Sequence, residues 1–341
     1  LLFERGGTYT MPSADYIRKS GGIIGAFGTG ADPIIQFTSN NPAFFMLSGV
    51  GDWTFMDMDF VGVSGFRHMP VTTQFADRSN VLMLRLDVSN TAGCEPTGSG
   101  IFMVDCNLSG LVGGGGFVGF YTQHSDHVVA IGNRIYDCSG IEHNIRFQGS
   151  TKCVISNNTL YKPANTKHLI TIRGRSTLAD PAVWSGVWCE HIVISDNDMD
   201  VGATTGPSWA AHFGAQNQNS DERTRDVIFE RNYVRGNTTT MVCTEASERV
   251  TIRNNLLVSG FNGTYQAGVI DVRFRSNAGV PPPSSTYIYN NSIYQVSGAH
   301  AYFEAIIVSR DPGAPSTPPT GTVAKNNLVY APTATGNDYT G

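Results

Sequence analysis

Val154-Ile155-Ser156-Asn157-Asn158-Thr159-Leu160 places an apolar-x-apolar strand before an asparagine turn and another apolar residue after it. The same pattern returns along the chain, in 129–135 around Asn133, 193–199 around Asn197 and 228–234 around Asn232. Three more copies surround Asn255, Asn291 and Asn327. Successive asparagines of this series stand 25, 39, 35, 23, 36 and 36 residues apart. A short minimum period with variable excess predicts a solenoid, a fixed coil carrying loops of free length. Stacked parallel coils lie about 4.8 Å apart, so an Asn amide can bond its copy above and below. The expected fold is therefore an all-β parallel β-helix with an asparagine ladder, one domain over 1–341. Long insertions are expected at about 175–190, 202–222, 276–285 and 310–320, with further loop signals at Gly113 to Gly116.

The composition agrees with such a fold. The chain has 341 residues with 38 Gly and 16 Pro, and only 15% are charged. So little charge excludes a disordered or coiled-coil chain. A net charge of -5 gives no footprint for nucleic acid, and no apolar run approaches the roughly 18 residues of a membrane span. Six cysteines (Cys94, Cys106, Cys138, Cys153, Cys189 and Cys243) show no zinc-like spacing and read as buried thiols. Leu1-Leu2-Phe3 already reads as the middle of a strand, so the N-terminal cap is expected to be truncated, with no signal peptide in this chain.

Within each coil, alternation separates inward from outward side chains. The inward series is Phe120/Thr122, Ile145/Phe147, Ile170/Ile172, Ala211/Phe213 and Val272/Phe274. Two outward rows follow: Tyr121, Arg146, Thr171, His212 and Arg273, beside Gln123, Gln148, Arg173, Glu245 and Arg275. Arginines gathered on one face predict a basic groove for an anionic chain. At the mouth of the same strands His143 matches His168 and Glu142 matches Lys167, with His124, Asp126 and His127 in the preceding loop.

The repeat resembles the right-handed parallel β-helix of the pectin-lyase-like superfamily, and the resemblance covers most of the chain. The segments 2–9 (Leu-Phe-Glu-Arg-Gly-Gly-Thr-Tyr) and 25–35 resemble the first coils of bacterial polysaccharide-degrading β-helices. Ile170-Thr171-Ile172-Arg173-Gly174 is similar to the strand carrying the catalytic arginine in polysaccharide lyase family 6, the alginate lyase and chondroitinase B group. The resemblance implies that role for Arg173. The family's catalytic lysine falls at or near Gln148, with Lys152 a few residues further on. The resemblance also implies an extracellular or periplasmic polymer substrate.

Two chemistries suit these residues. In uronate β-elimination, Arg146 and Arg173 suit neutralisation of the carboxylate or proton donation, Lys167, His143 or His168 is the candidate base, and Tyr121 a candidate acid. Glu142, Gln148, His124, His212, Glu245, Arg273 and Arg275 then form the substrate-binding set. Glycoside hydrolysis needs two carboxyl groups, for which the pairs are Glu142 with Asp126 and Glu245 with Asp271. A non-catalytic tailspike or adhesin is the third reading, because fold does not set function. Ca²⁺ is a candidate cofactor, and no residue is assigned to a metal.

Overall fold

Asn158 is bonded to the coil before it and the coil after it. Its Nδ2 donates to Asn197 Oδ1 and to the Ala130 carbonyl of the preceding coil, each at 2.9 Å. Its Oδ1 accepts the backbone and side-chain amides of Asn133, again at 2.9 Å. The set repeats at Asn197, Asn232, Asn255 and Asn291 and ends on Asn327. One coil earlier Cys106 stands in the asparagine's place, and its backbone amide donates to Asn133 Oδ1 at 3.0 Å. These bonds come from a computed structural model that describes all residues except 14, 39–42, 48, 63–69, 74–78, 113–117, 139–140, 162, 164–166, 175–187, 204–207, 215–221, 239, 261–266, 275–280, 297–302, 311–318 and 333–341.

The turn needs a left-handed residue just before each ladder asparagine. Gly132, Asn157, Asp196, Arg231, Asn254, Asn290 and Asn326 supply it, with φ between 53° for Arg231 and 71° for Gly132. Gly, Asn and Asp take this conformation at low cost, whereas Arg does not. The Arg231 guanidinium is held by two bonds of 2.9 Å to the Asp196 carboxylate, one coil back.

Replacing Asn232 by Ala removes the acceptor of the Asn197 amides and the donor to the Ile194 carbonyl. Each buried group left without a partner costs about 1–3 kcal/mol, so a loss of about 3 kcal/mol is expected in urea unfolding. A loss below about 1 kcal/mol would mean that water fills the rung.

Two strands per coil meet at this turn and merge into one 22-stranded parallel sheet. The remaining face is a seven-stranded parallel sheet of Val118–Gln123, His143–Gln148, Ile170–Arg173, Ala211–Phe213, Val242–Thr244, Ala267–Phe274 and Phe303–Arg310. A three-stranded sheet, Asp15–Ile17, Phe44–Met46 and Val71–Thr73, precedes it, and Cys94 pairs with Phe120 at its start. Parallel register stacks like on like. On the large sheet Phe55, Met83, Met103, Ala130, Ile155, Ile194, Phe229 and Ile252 form one buried column. Full burial of each large member is worth about 2 kcal/mol, and this continuous interior accounts for the sparse charge.

The strand Ala211–Phe213 lies inside the stretch expected as an insertion over 202–222. Gly113 to Gly116, most of 175–190 and 310–320, and Arg275 lie outside the described residues. All six cysteines are buried thiols outside any disulfide, as expected. No helix among the described residues is long and apolar enough to cross a membrane.

Candidate functional site

Outward side chains of the seven-stranded sheet form two columns set by the strand register. One runs Tyr121, Arg146, Thr171, His212, Cys243 and Asp271. The pairing of Cys94 with Phe120 sets Glu95 at its head. The second runs Gln123, Gln148, Arg173, Gly214, Glu245 and Arg273. Alternation alone places Arg273 in the column of His212; the register moves it one column over and gives its place to Asp271. Variable loop length, invisible to alternation, causes this slip of two residues.

The outward groups of this face are largely out of water. Arg146 and Arg173 are only 7% and 5% exposed, and a buried cation requires a partner. Arg146 donates to Glu142 Oε2 at 2.8 Å, and Lys167 Nζ reaches Glu142 Oε1 at 3.3 Å. Arg173 faces Glu222 at 3.5 Å, and Arg273 donates to Asp271 at 2.9 and 2.6 Å. The expected basic groove is thus a charge-balanced network. Glu222 comes from a loop that no repeat marks, so periodicity could not point to it.

Tyr121 donates to Gln148 Oε1 at 2.7 Å, and Arg173 reaches the same oxygen at 3.5 Å. Gln148 therefore sits between the two, where the family pattern places a lysine. The Arg146 guanidinium lies 5.3 Å from the Tyr121 ring centre. Glu95, half-buried at the head of the column, has its carboxyl pushed up to about 7 by burial, against the pull of Arg146. Sequence reasoning missed Glu95, although counting one coil back from Tyr121 would have reached it.

A third row stands at the strand entries. The His143 and His168 rings stack with centres 5.1 Å apart, and His168 lies flat on Trp209 at 4.5 Å. His143 Nδ1 accepts the His168 amide at 3.1 Å, and His168 Nδ1 accepts the Trp209 amide at 3.1 Å. Those bonds leave each ring hydrogen on Nε2. Burial, then the charges of His168, Arg146 and Lys167, hold His143 well below its ordinary pKa. The matching of His143 with His168 and of Glu142 with Lys167 follows the expected register.

His124 is half-buried, and its amide donates to the Gln148 carbonyl at 2.9 Å. Asp126 begins a strand of the large sheet instead, where Thr151 Oγ1 donates to it at 2.8 Å and Lys152 stands 3.4 Å away. It is not paired with Glu142, whose partners are Arg146 and Lys167. At the other end His212 Nε2 lies 3.1 Å from Glu245 Oε2, with Cys243 Sγ 3.6 Å from Glu245 Oε1. Gly214, at φ 111°, packs directly on the Glu245 backbone.

No protein-family model matches the sequence, and a search of curated proteins finds no match. Solved structures do match. The Dettilon tailspike protein aligns with a TM-score of 0.59 at 12% identity, over 97% of this chain and 62% of that one. The native lacto-N-biosidase of Eubacterium ramulus aligns at 0.55 and 13% identity over 96% of this chain, which spans only 61% of the biosidase. A mannuronan C-5 epimerase A-module from Azotobacter vinelandii aligns at 0.53 and 13% identity, over 97% and 90% of the two chains. At such identities the likeness is one of architecture. What this chain shares with all three is the fold, and by that fold it is a parallel β-helix protein.

Proposed function

We propose that the protein acts on an exported, uronate-containing polysaccharide and cleaves it by β-elimination. The observation that carries this reading is the column Glu95, Tyr121 and Arg146 on three successive coils. Glu95 is poised to gain or lose a proton near neutrality, and the charge of Arg146, two coils along, acts on it. Together they suit removal of a proton next to a carboxylate. Glu95, Glu142 and Lys167 are half-buried, so this end of the face reaches solvent.

In this mechanism Arg146 and Arg173 bind the uronate carboxylate, and Glu95 takes the C5 proton. The C4–O bond breaks as the C4–C5 double bond forms, and Tyr121 donates its phenolic proton to the leaving oxygen. Glu142 and Lys167 orient Arg146, while Gln148 and His124 line the neighbouring subsite. Glu95 replaces His143, His168 and Lys167 as the base. The histidine Nδ1 atoms are taken by backbone amides and Lys167 is paired with Glu142. The fold itself is one on which a mannuronan C-5 epimerase is built.

Incubation with alginate, pectate and chondroitin sulfate is expected to generate ultraviolet absorbance from unsaturated uronate ends. New reducing ends without that absorbance would replace elimination by hydrolysis. A changed uronate composition without cleavage would mean that the proton is returned rather than the chain broken. No reaction on any of the three would defeat the reading.

A further inference from the structure

The buried end of the same face holds a group of side chains that the proposed elimination does not use. One ring nitrogen of His212, the Cys243 sulfur and one Glu245 carboxylate oxygen lie within 4.8 Å of one another. Register explains the convergence. His212 and Cys243 are direct neighbours on adjacent parallel strands, and Cys243 and Glu245, two residues apart, point to the same side. All three are 1% exposed or less. His212 Nδ1 is buried with no hydrogen-bond partner.

We propose that His212, Cys243 and Glu245 bind a divalent transition metal ion of the zinc type. The donor set decides the class: nitrogen, sulfur and oxygen together suit Zn²⁺ or Co²⁺, whereas Ca²⁺ takes six to eight oxygens. A thiolate, a carboxylate and a neutral imidazole carry two negative charges and match the ion. Cys243 releases its thiol proton to solvent as the metal–sulfur bond forms. The His212 ring is already walled by Trp209 at 4.9 Å and His168 at 5.5 Å, which limits its rotation. The nearby Arg273 cation is matched by Asp271. Three protein donors complete three positions of a tetrahedron and leave the fourth for a small ligand.

The test uses the whole chain, stripped with a chelator and titrated with Zn²⁺ and, separately, Co²⁺. One equivalent of Zn²⁺ is expected to bind and to raise the melting temperature. Co²⁺ is expected to give a near-ultraviolet thiolate charge-transfer band. Cys243→Ser should abolish that band and weaken Zn²⁺ binding at least about 100-fold. His191→Ala is the control for a second, exposed group, Glu190, His191 and Asp226, and should leave the band intact. The Co²⁺ spectrum of the unaltered protein decides the matter even if Cys243→Ser fails to fold. Absence of Zn²⁺ binding, a Co²⁺ complex without the thiolate band, or binding lost on His191→Ala would each overturn the proposal. None of these results depends on the elimination chemistry, which the uronate assay tests separately.

Discussion

Glu95→Gln is expected to lower kcat/KM on the cleaved polysaccharide by about a thousandfold, within the range for losing a general base. The same change is expected to stabilise the protein at alkaline pH. Burial raises the Glu95 carboxyl from 4.5 to about 7 in the folded chain. The folded state therefore binds the proton more tightly than the unfolded one. Its stabilising contribution is complete below pH 4.5 and is lost as pH rises through about 7. Above that range the ionised, buried carboxylate costs about 3 kcal/mol, at about 1.4 kcal/mol for each tenfold change in proton affinity. Glutamine is neutral at every pH and escapes that cost. Activity of the unaltered protein should rise with pH through about 7, as the base form fills. Full activity in Glu95→Gln, or a pH profile flat across neutrality, would remove Glu95 from the reaction.

Gly214→Ala is expected to be the most damaging single methyl group in this region. A Cβ on Gly214 would stand 1.3 Å from the Glu245 carbonyl oxygen, and the backbone at φ 111° admits glycine alone at low cost. The obstacle is main chain, which cannot rotate aside as a side chain would. The coil carrying Glu245 must shift, and the bonds from Glu245 N to the Phe213 carbonyl and from Gly214 N to the Ile172 carbonyl weaken with it. A loss of at least about 4 kcal/mol is expected, since steric and hydrogen-bond losses combine. Urea unfolding followed by far-ultraviolet circular dichroism measures it. A loss under about 1 kcal/mol would show that the coil has room to give.

The ladder was legible because its chemistry repeats: every rung needs a buried amide, and only Asn supplies it at that reach. Its beginning was not legible, since Cys106 holds the first place, with its backbone amide bonded to Asn133 Oδ1 and its thiol to the Met83 carbonyl one coil back. Inward residues such as Phe120, Ile145, Ile170 and Phe213 were readable from alternation, and they are buried. The outward columns were readable as far as His212 and Glu245. Beyond them the slip at Asp271 and Arg273 shows that alternation gives a face but not a count. The charge balance was hidden for another reason. Glu222 reaches Arg173 across 49 residues of sequence from a loop, and Glu95 precedes the part of the chain where the repeat becomes regular.

The bonds from one ladder side chain to the next all run the same way. From Asn133 to Asn291, each Nδ2 donates toward the next asparagine and each Oδ1 receives from the previous amide, with Asn327 Oδ1 receiving last. The amide dipoles are therefore aligned head to tail, as peptide units are along a helix. Each polarises its neighbour, which makes the row stronger than its rungs taken singly. The row accordingly has a sense: partial negative charge gathers toward Asn133 and partial positive charge toward Asn327. The two ends of the coil stack are electrically unlike, whatever net charge the chain carries.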